Sequence, residues 1–177
     1  MTLRHLANMI SGYARGENPG TAWSYNDYGA QLYGLTVKRI FNSSDLNSVA
    51  LQKLTPLQIQ DSSIFASRNG LGVSVSVRDF ARIGWFWLNK GYWNGQQIIP
   101  QDFFDNYMKP QVSTSLPRST IVGTDYLGTG TLGGDSDQTA FGPGIYGYGW
   151  WFNGTGPAHA GGGLTWPDAP ADTFQAN

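Results

Sequence analysis

The stretch PGTAWSYNDYGAQLYG, Pro19 to Gly34, decides how the chain is read. A Pro-Gly-Thr turn leads into Trp23, Ser24, Tyr25, Asn26 and Asp27, and these run straight into residues with helical spacing. Polar groups are therefore gathered where a helix begins, at the end whose backbone N–H groups lack partners and which favours negative charge. Read from the residues alone, the cluster is a helix N-cap, with Ser24 or Asp27 holding backbone N–H groups and Tyr25 packing as core.

Working outward, Thr2 is a suitable N-cap, and Leu3, Leu6, Ala7 and Ile10 share one face, so Met1 to Tyr13 reads as a short helix ending at Ser11-Gly12. Leu32, Leu35, Val37 and Ile40 mark a helix from Tyr28 to Phe41, broken by Asn42-Ser43-Ser44, and a second short helix is expected over Asp45 to Lys53. Val77 to Asn89 is predicted as a helix capped by Ser76, with Asp79 as a capping-box acid. Trp85, Phe86, Trp87 and Leu88 make that helix apolar nearly all round, which predicts deep burial. A turn at Gly91 to Gly95 leads to a helix over Gln101 to Met108, and Gln111 to Gly144 is a long Gly/Ser/Thr-rich loop of the kind that carries function more often than mere connection. Tyr146 to Phe152 reads as one strand, and Asn153 to Asn177 as a loop-like tail.

Several of these segments resemble the serine β-lactamase and penicillin-recognising family, which includes D-Ala-D-Ala carboxypeptidases, class C β-lactamases and lactamase-like esterases. The family's Pro-Gly-x-x-aromatic-x-Tyr-x-Asn segment is similar to Pro19, Gly20, Trp23 and Tyr25, followed by Leu32 and Gly34. In this register the third motif position is Asp27 and not Asn; an ionised Asp only accepts hydrogen bonds, whereas the family's Asn also donates. A second register, Ser24-Tyr25-Asn26, fits the Ser-x-Asn form of the motif. The stretch TLRHLANMISGY resembles the family's Thr-Ile-Arg-His-Leu-Leu-x-His-x-Ser-Gly-Leu, with Met9 in place of the second His, so the chain's beginning looks like the middle of a longer protein. Further likenesses lie at Leu54 to Ser62, at Ser76 to Arg82, at Gly91 to Gly95 and at Tyr146-Gly147-Tyr148-Gly149-Trp150.

The resemblance implies an α+β fold, an antiparallel sheet flanked by helices, of which this chain carries the mostly helical portion with the sheet largely missing. It divides residues 1–177 into a helical part over 1–110 with the Tyr motif, a loop over 111–145, and a strand with tail over 146–177. Taken alone, such a piece is expected to be marginally stable, with exposed apolar surface. The implied activity is acyl transfer through a serine, on a β-lactam, an ester or a D-amino-acid peptide. Tyr25 and Asp27 would be the catalytic residues, Tyr25 moving a proton with its phenol pKa lowered by a lysine ammonium, while Trp23, Ser24 and Asn26 would bind substrate. The nucleophile itself is missing: residues three before the four lysines, Lys38, Lys53, Lys90 and Lys109, are Leu35, Ala50, Trp87 and Asn106, so no Ser-x-x-Lys exists here. His159-Ala160-Gly161 matches the letters of the family's third motif, without the long apolar strand that should follow.

Composition narrows the alternatives. Eleven basic and 12 acidic residues, thinly spread, leave no electrostatic footprint for nucleic acid. The chain has no cysteine and only two histidines, far apart, which supplies no thiol nucleophile and no metal-ligand cluster; no cofactor is implied. No apolar run approaches the roughly 18 residues of a membrane span. A chain with 14 % aromatic and 13 % charged residues points to a periplasmic or secreted parent, though Met1 is followed by no signal peptide. The competing reading is a non-catalytic module whose exposed aromatics stack on glycan or peptidoglycan; it requires a row of exposed tryptophans.

Overall fold

The computed structural model describes residues 1–67, 72–130, 142–155 and 163–176. Among these the chain is mixed α/β, with five α-helices and small antiparallel sheets, compatible with α+β. It forms two compact units: Met1–Tyr33 with Asn106–Asn177, and Gly34–Asp105. The Tyr25 segment and the residues around Trp151 thus share one unit, although about 120 positions separate them.

The first unit begins with α1, Leu3–Ala7, capped by Thr2, whose hydroxyl accepts from the His5 N–H at 3.3 Å. The expected helix is cut short because Asn8 ends it and Met9 takes a left-handed φ of 58°. Helix α2 spans Asp27–Ile40, beginning in this unit. The predicted strand over Tyr146 to Phe152 is instead a hairpin, β5 (Tyr146–Gly147) and β6 (Trp150–Phe152), joined by Tyr148 and Gly149 at φ 51° and 87°. Two successive positive φ values make the tight turn whose twist matches antiparallel strands; Gly149 suits it and Tyr148 does not, which hides the turn from sequence.

The tail supplies a strand that the sequence pattern does not mark. β7, Phe174–Ala176, pairs antiparallel with β6, giving the order β5-β6-β7. Buried Asn153 positions its approach: the side-chain amide donates to the Trp166, Ala169 and Pro170 carbonyls at 2.9–3.2 Å, and its oxygen accepts from the Trp166 N–H at 2.8 Å. One polar side chain thereby satisfies four backbone groups of a loop that would otherwise be costly to bury. The core of this unit is Trp23, Val112, Ile145, Tyr146 and Trp151, with Met9, Ile10, Tyr25, Leu116 and Trp166 packed against it.

In the second unit α3, Leu46–Leu54, is capped by Asp45, whose carboxylate accepts from the Asn47 and Ser48 N–H groups at 2.9 and 3.2 Å. A short hairpin follows, β1 (Ile64–Ser67) on β2 (Gly72–Ser74), then α4 (Val77–Leu88), the hairpin β3 (Tyr92–Trp93) and β4 (Gln96–Gln97), and α5 (Gln101–Tyr107), which ends beyond the unit's boundary. Ser76 caps α4 as expected, accepting from the Asp79 N–H at 3.1 Å.

Asp79 is not the capping-box acid. Its carboxylate reaches across to the Gln60 and Asp61 N–H groups at 3.1 and 3.0 Å and to the Ser63 hydroxyl at 2.7 Å, with Arg82 at 3.0 Å. Burial by itself pushes that carboxyl up, but these donors together hold it below the ordinary carboxylate value. The expected deep burial of α4 is also corrected. Phe86 packs inward, while Val77, Phe80, Trp85 and Leu88 are 59–88 % exposed. The unit's own elements lie on one side of the helix, so its second apolar face is left open.

Candidate functional site

The Pro19–Asp27 segment is held by backbone bonds on both sides. The Gly20 N–H donates to the Ile10 carbonyl at 2.7 Å, and the Ser24 N–H to the Met9 carbonyl at 3.0 Å. On its other side, Trp23 N–H donates to Pro117 O at 2.9 Å and Ser119 N–H to Trp23 O at 2.8 Å, a parallel bridge that draws the 117–119 strip of the long loop alongside. Arg118 stacks over the Trp23 ring at 5.3 Å, a cation–π contact.

Within this frame each candidate residue has a definite place. Trp23 has no exposure at all, and its ring meets Tyr146 and Trp151 edge-on at 6.1 and 6.0 Å. In this structure it supports the site from behind and does not form its surface. Ser24 is buried, and its hydroxyl makes no hydrogen bond among the described residues.

Asn26, rather than Ser24 or Asp27, caps α2. Its side-chain oxygen accepts from the Gly29 N–H at 2.9 Å and its amide donates to the Ser24 carbonyl at 3.0 Å. Both ends of the Asn26 side chain are thus engaged in local structure, which leaves the Ser24-Asn26 register with a committed amide. Asp27 is the first residue of α2, where a carboxylate is favoured by the helix dipole.

Tyr25 is partly buried at the edge of the core. Its ring lies 5.9 Å from Tyr146 and 5.4 Å from Trp151. Tyr146 is nearly enclosed: burial, with the Tyr25 phenol beside it, pushes its own phenol far above the ordinary value of 10.0. A phenol so placed stays neutral, so Tyr146 contributes packing and not a base. Tyr33 is raised as well, chiefly by burial and also by Tyr148.

The structure brings together three of the segments that carry the sequence resemblance. Asn8 accepts from the Tyr148 N–H at 2.9 Å, Met9 accepts from Ser24, and Tyr25 packs on Tyr146 and Trp151. His159 lies outside the described residues, as do residues 131–141 of the long loop. Among the described residues no group of three His, Asp or Glu side chains is placed to hold a metal ion, and no helix is long and apolar enough to cross a membrane.

A second cluster escaped the sequence reading. A cleft of about 290 Å³ is lined by Ser11, Tyr13, Glu17, Thr124 and Tyr126 among others. Tyr13 donates to the Asp125 carboxylate and accepts from the Leu127 N–H at 3.2 Å. Asp125 also accepts from the Thr129 N–H and hydroxyl, each at 3.0 Å, and from the Gly130 N–H at 2.8 Å. Led by the Tyr13 hydrogen bond and opposed in part by burial, these donors pull its carboxyl down to about 2. With 112 positions between Tyr13 and Asp125, no spacing rule signals the pair. No protein-family profile, curated protein or solved structure matches the chain.

Proposed function

We propose that this chain carries the tyrosine portion of a serine hydrolase of the β-lactamase-like kind, acting through an acyl-enzyme on a β-lactam, an ester or a D-amino-acid peptide. The observation that carries this reading is the packing of Tyr25 at the start of α2 against Tyr146 and Trp151 of the hairpin. Two motif-like segments far apart in sequence meet there, which chance resemblance of either one does not require. In the proposed chemistry Tyr25 relays the proton between the serine nucleophile and the leaving group, and general acid–base transfer of this kind is worth roughly 10²- to 10⁴-fold in rate. Asp27 helps hold the partner ammonium as an acceptor, and Asn26 keeps α2 and hence Tyr25 in place. Trp23 shapes the pocket from beneath. The Ser-x-x-Lys nucleophile has to be supplied from outside these 177 residues, since none of the four lysines has a serine three positions before it. A parent of this class would work in the periplasm or outside the cell.

A glycan-stacking module fits less well. Of the seven tryptophans only Trp85 is largely exposed, and one ring is not a stacking row. The test is covalent labelling by a fluorescent β-lactam and a fluorophosphonate, applied to the 177-residue chain beside the gene extended at both ends. The expected result is an unlabelled short chain and an acylated extended one, with Tyr25→Phe slowing acylation of the latter by about 10²-fold or more. Labelling of the short chain itself, or an unaffected Tyr25→Phe variant, would overturn the assignment.

A further inference from the structure

The cleft around Tyr13 shares no lining residue with the Tyr25 cluster, and its chemistry is distinct. At about 290 Å³ it stands near the lower end of the range for small-molecule sites. One wall is the edge-on pair of Tyr13 and Tyr126, with ring centroids 5.1 Å apart. Tyr13 is buried and locked at its hydroxyl by Asp125 and Leu127, so this wall is preset before any ligand arrives. Tyr126 is 70 % exposed and offers its ring to solvent.

Glu17 also lines the cleft, and only half of its carboxylate is accounted for. Oε1 accepts from the Ser119 hydroxyl at 2.7 Å; Oε2 is buried and has no donor among the described residues. Glu17 takes part in none of the ion pairs among those residues, neither with Met1, which lines the cleft, nor with Arg15, two positions before it in sequence, which is buried with Nε and Nη2 likewise without hydrogen-bond partners among the described residues and does not line the cleft. A buried acceptor left without a donor is unfavourable, and a carboxylate can be satisfied only by a group that donates. Both oxygens of the Asp125 carboxylate, which is bonded to the Tyr13 hydroxyl, already accept hydrogen bonds, and Asp125 does not itself line the cleft, so it adds negative potential there without being the group a ligand meets. Aromatic faces attract cations for the same electrostatic reason.

The geometry points to a binding site for a small organic cation, an ammonium group on a short apolar stem, whose N–H donors meet the Glu17 carboxylate once it turns toward the cleft, while its stem lies against Tyr13 and Tyr126. This site does not depend on the acyl-transfer reading. The probe is benzylammonium, titrated into the ¹⁵N-labelled 177-residue chain and followed by amide chemical shifts, with benzyl alcohol and benzoate as neutral and anionic isosteres. Saturable shifts are expected in Gly12–Glu17 and Gly123–Tyr126, with both isosteres and the Glu17→Gln variant weaker by about tenfold or more, the size of effect that loss of a charged hydrogen bond produces. Tyr126→Leu, which alters an exposed ring and leaves the fold intact, should weaken benzylammonium by roughly threefold or more. Equal binding of benzyl alcohol, preference for benzoate, or no shift in these segments would overturn the site. So would unchanged affinity in Glu17→Gln, or, where that variant does not fold, in Tyr126→Leu.

Discussion

Trp23 decides between two roles for the same ring. Its side chain is fully enclosed among Tyr146, Trp151, Val112 and Ile145, so Trp23→Ala opens a cavity the size of an indole at the centre of the first unit. Large-to-small changes of this kind cost about 3–5 kcal/mol. The indole Nε1 makes no hydrogen bond among the described residues, and deleting a buried donor of that sort returns about 1–3 kcal/mol. The net expectation is a loss of about 2 kcal/mol, or some 4–8 °C in melting temperature at 2–4 °C per kcal/mol for a chain this long. Trp23→Phe keeps one ring of the edge-on contacts and removes the unpaired N–H, so its cost should stay near 1 kcal/mol. Because the chain has two units, the unfolding probe must be local. The ¹⁹F signal of 5-fluorotryptophan at Trp151, in the same cluster, followed through a urea titration, reports the first unit alone. An alanine variant that loses less than about 1 kcal/mol, or that matches the phenylalanine variant, would refute the core assignment. Acylation by the extended protein should tolerate Trp23→Phe; a large loss of labelling with unchanged stability would instead return Trp23 to the substrate surface.

Asp79 should make the second unit acid-sensitive: its folded carboxyl titrates below the ordinary 3.8, so the stability it contributes is full above that value and drains away as pH falls through the lower folded one. Asp79→Asn should flatten that part of the stability–pH curve, and an unchanged acid slope in the variant's urea midpoints would count against the network. Asn26→Ala should cost about 1 kcal/mol through loss of the α2 cap, whereas Asp27→Asn should cost about 0.3–1 kcal/mol by weakening a dipole interaction alone. A loss below about 0.5 kcal/mol in Asn26→Ala, measured by denaturant titration with an α2 probe, would show that Asn26 is not the cap. The open face of α4 should bind the dye ANS in the native chain, and Phe80→Lys with Leu88→Lys should weaken that signal while moving stability by no more than about 0.5 kcal/mol per site. A loss of several kcal/mol would mean that the face is covered in solution.

What the sequence by itself determined is the local chemistry of the chain. Thr2 and Ser76 are short polar side chains set before apolar periodicity, and each caps the helix it announces, because a cap needs only its own neighbours within three residues; Asp45, expected as the first residue of its helix, proves to be the cap of α3. The helix following Tyr25, the break at Asn42-Ser43-Ser44 and the helix after Pro100 were legible for the same reason, α2 ending one residue before the expected Phe41. The candidate site was legible only as a segment: that Asn26 takes the cap depends on the exact backbone entry into α2.

Everything that required a distant partner was settled by the tertiary structure. Asp79 looks like a capping acid until the Gln60–Ser63 strip lies beside it, and the donors of that strip outcompete a single bond to its own turn. The face that α4 buries depends on which elements pack on it, and the hydrophobic residues all round the helix carry no such information. β7 has no strong pattern of its own and exists because β6 offers an edge. Tyr13 meets Asp125 across a closed loop of more than a hundred residues, and the entropy of closing such a loop rises so slowly with its length that sequence separation neither forbids nor suggests the contact. Packing chooses among those closures, and packing is a property of the folded whole.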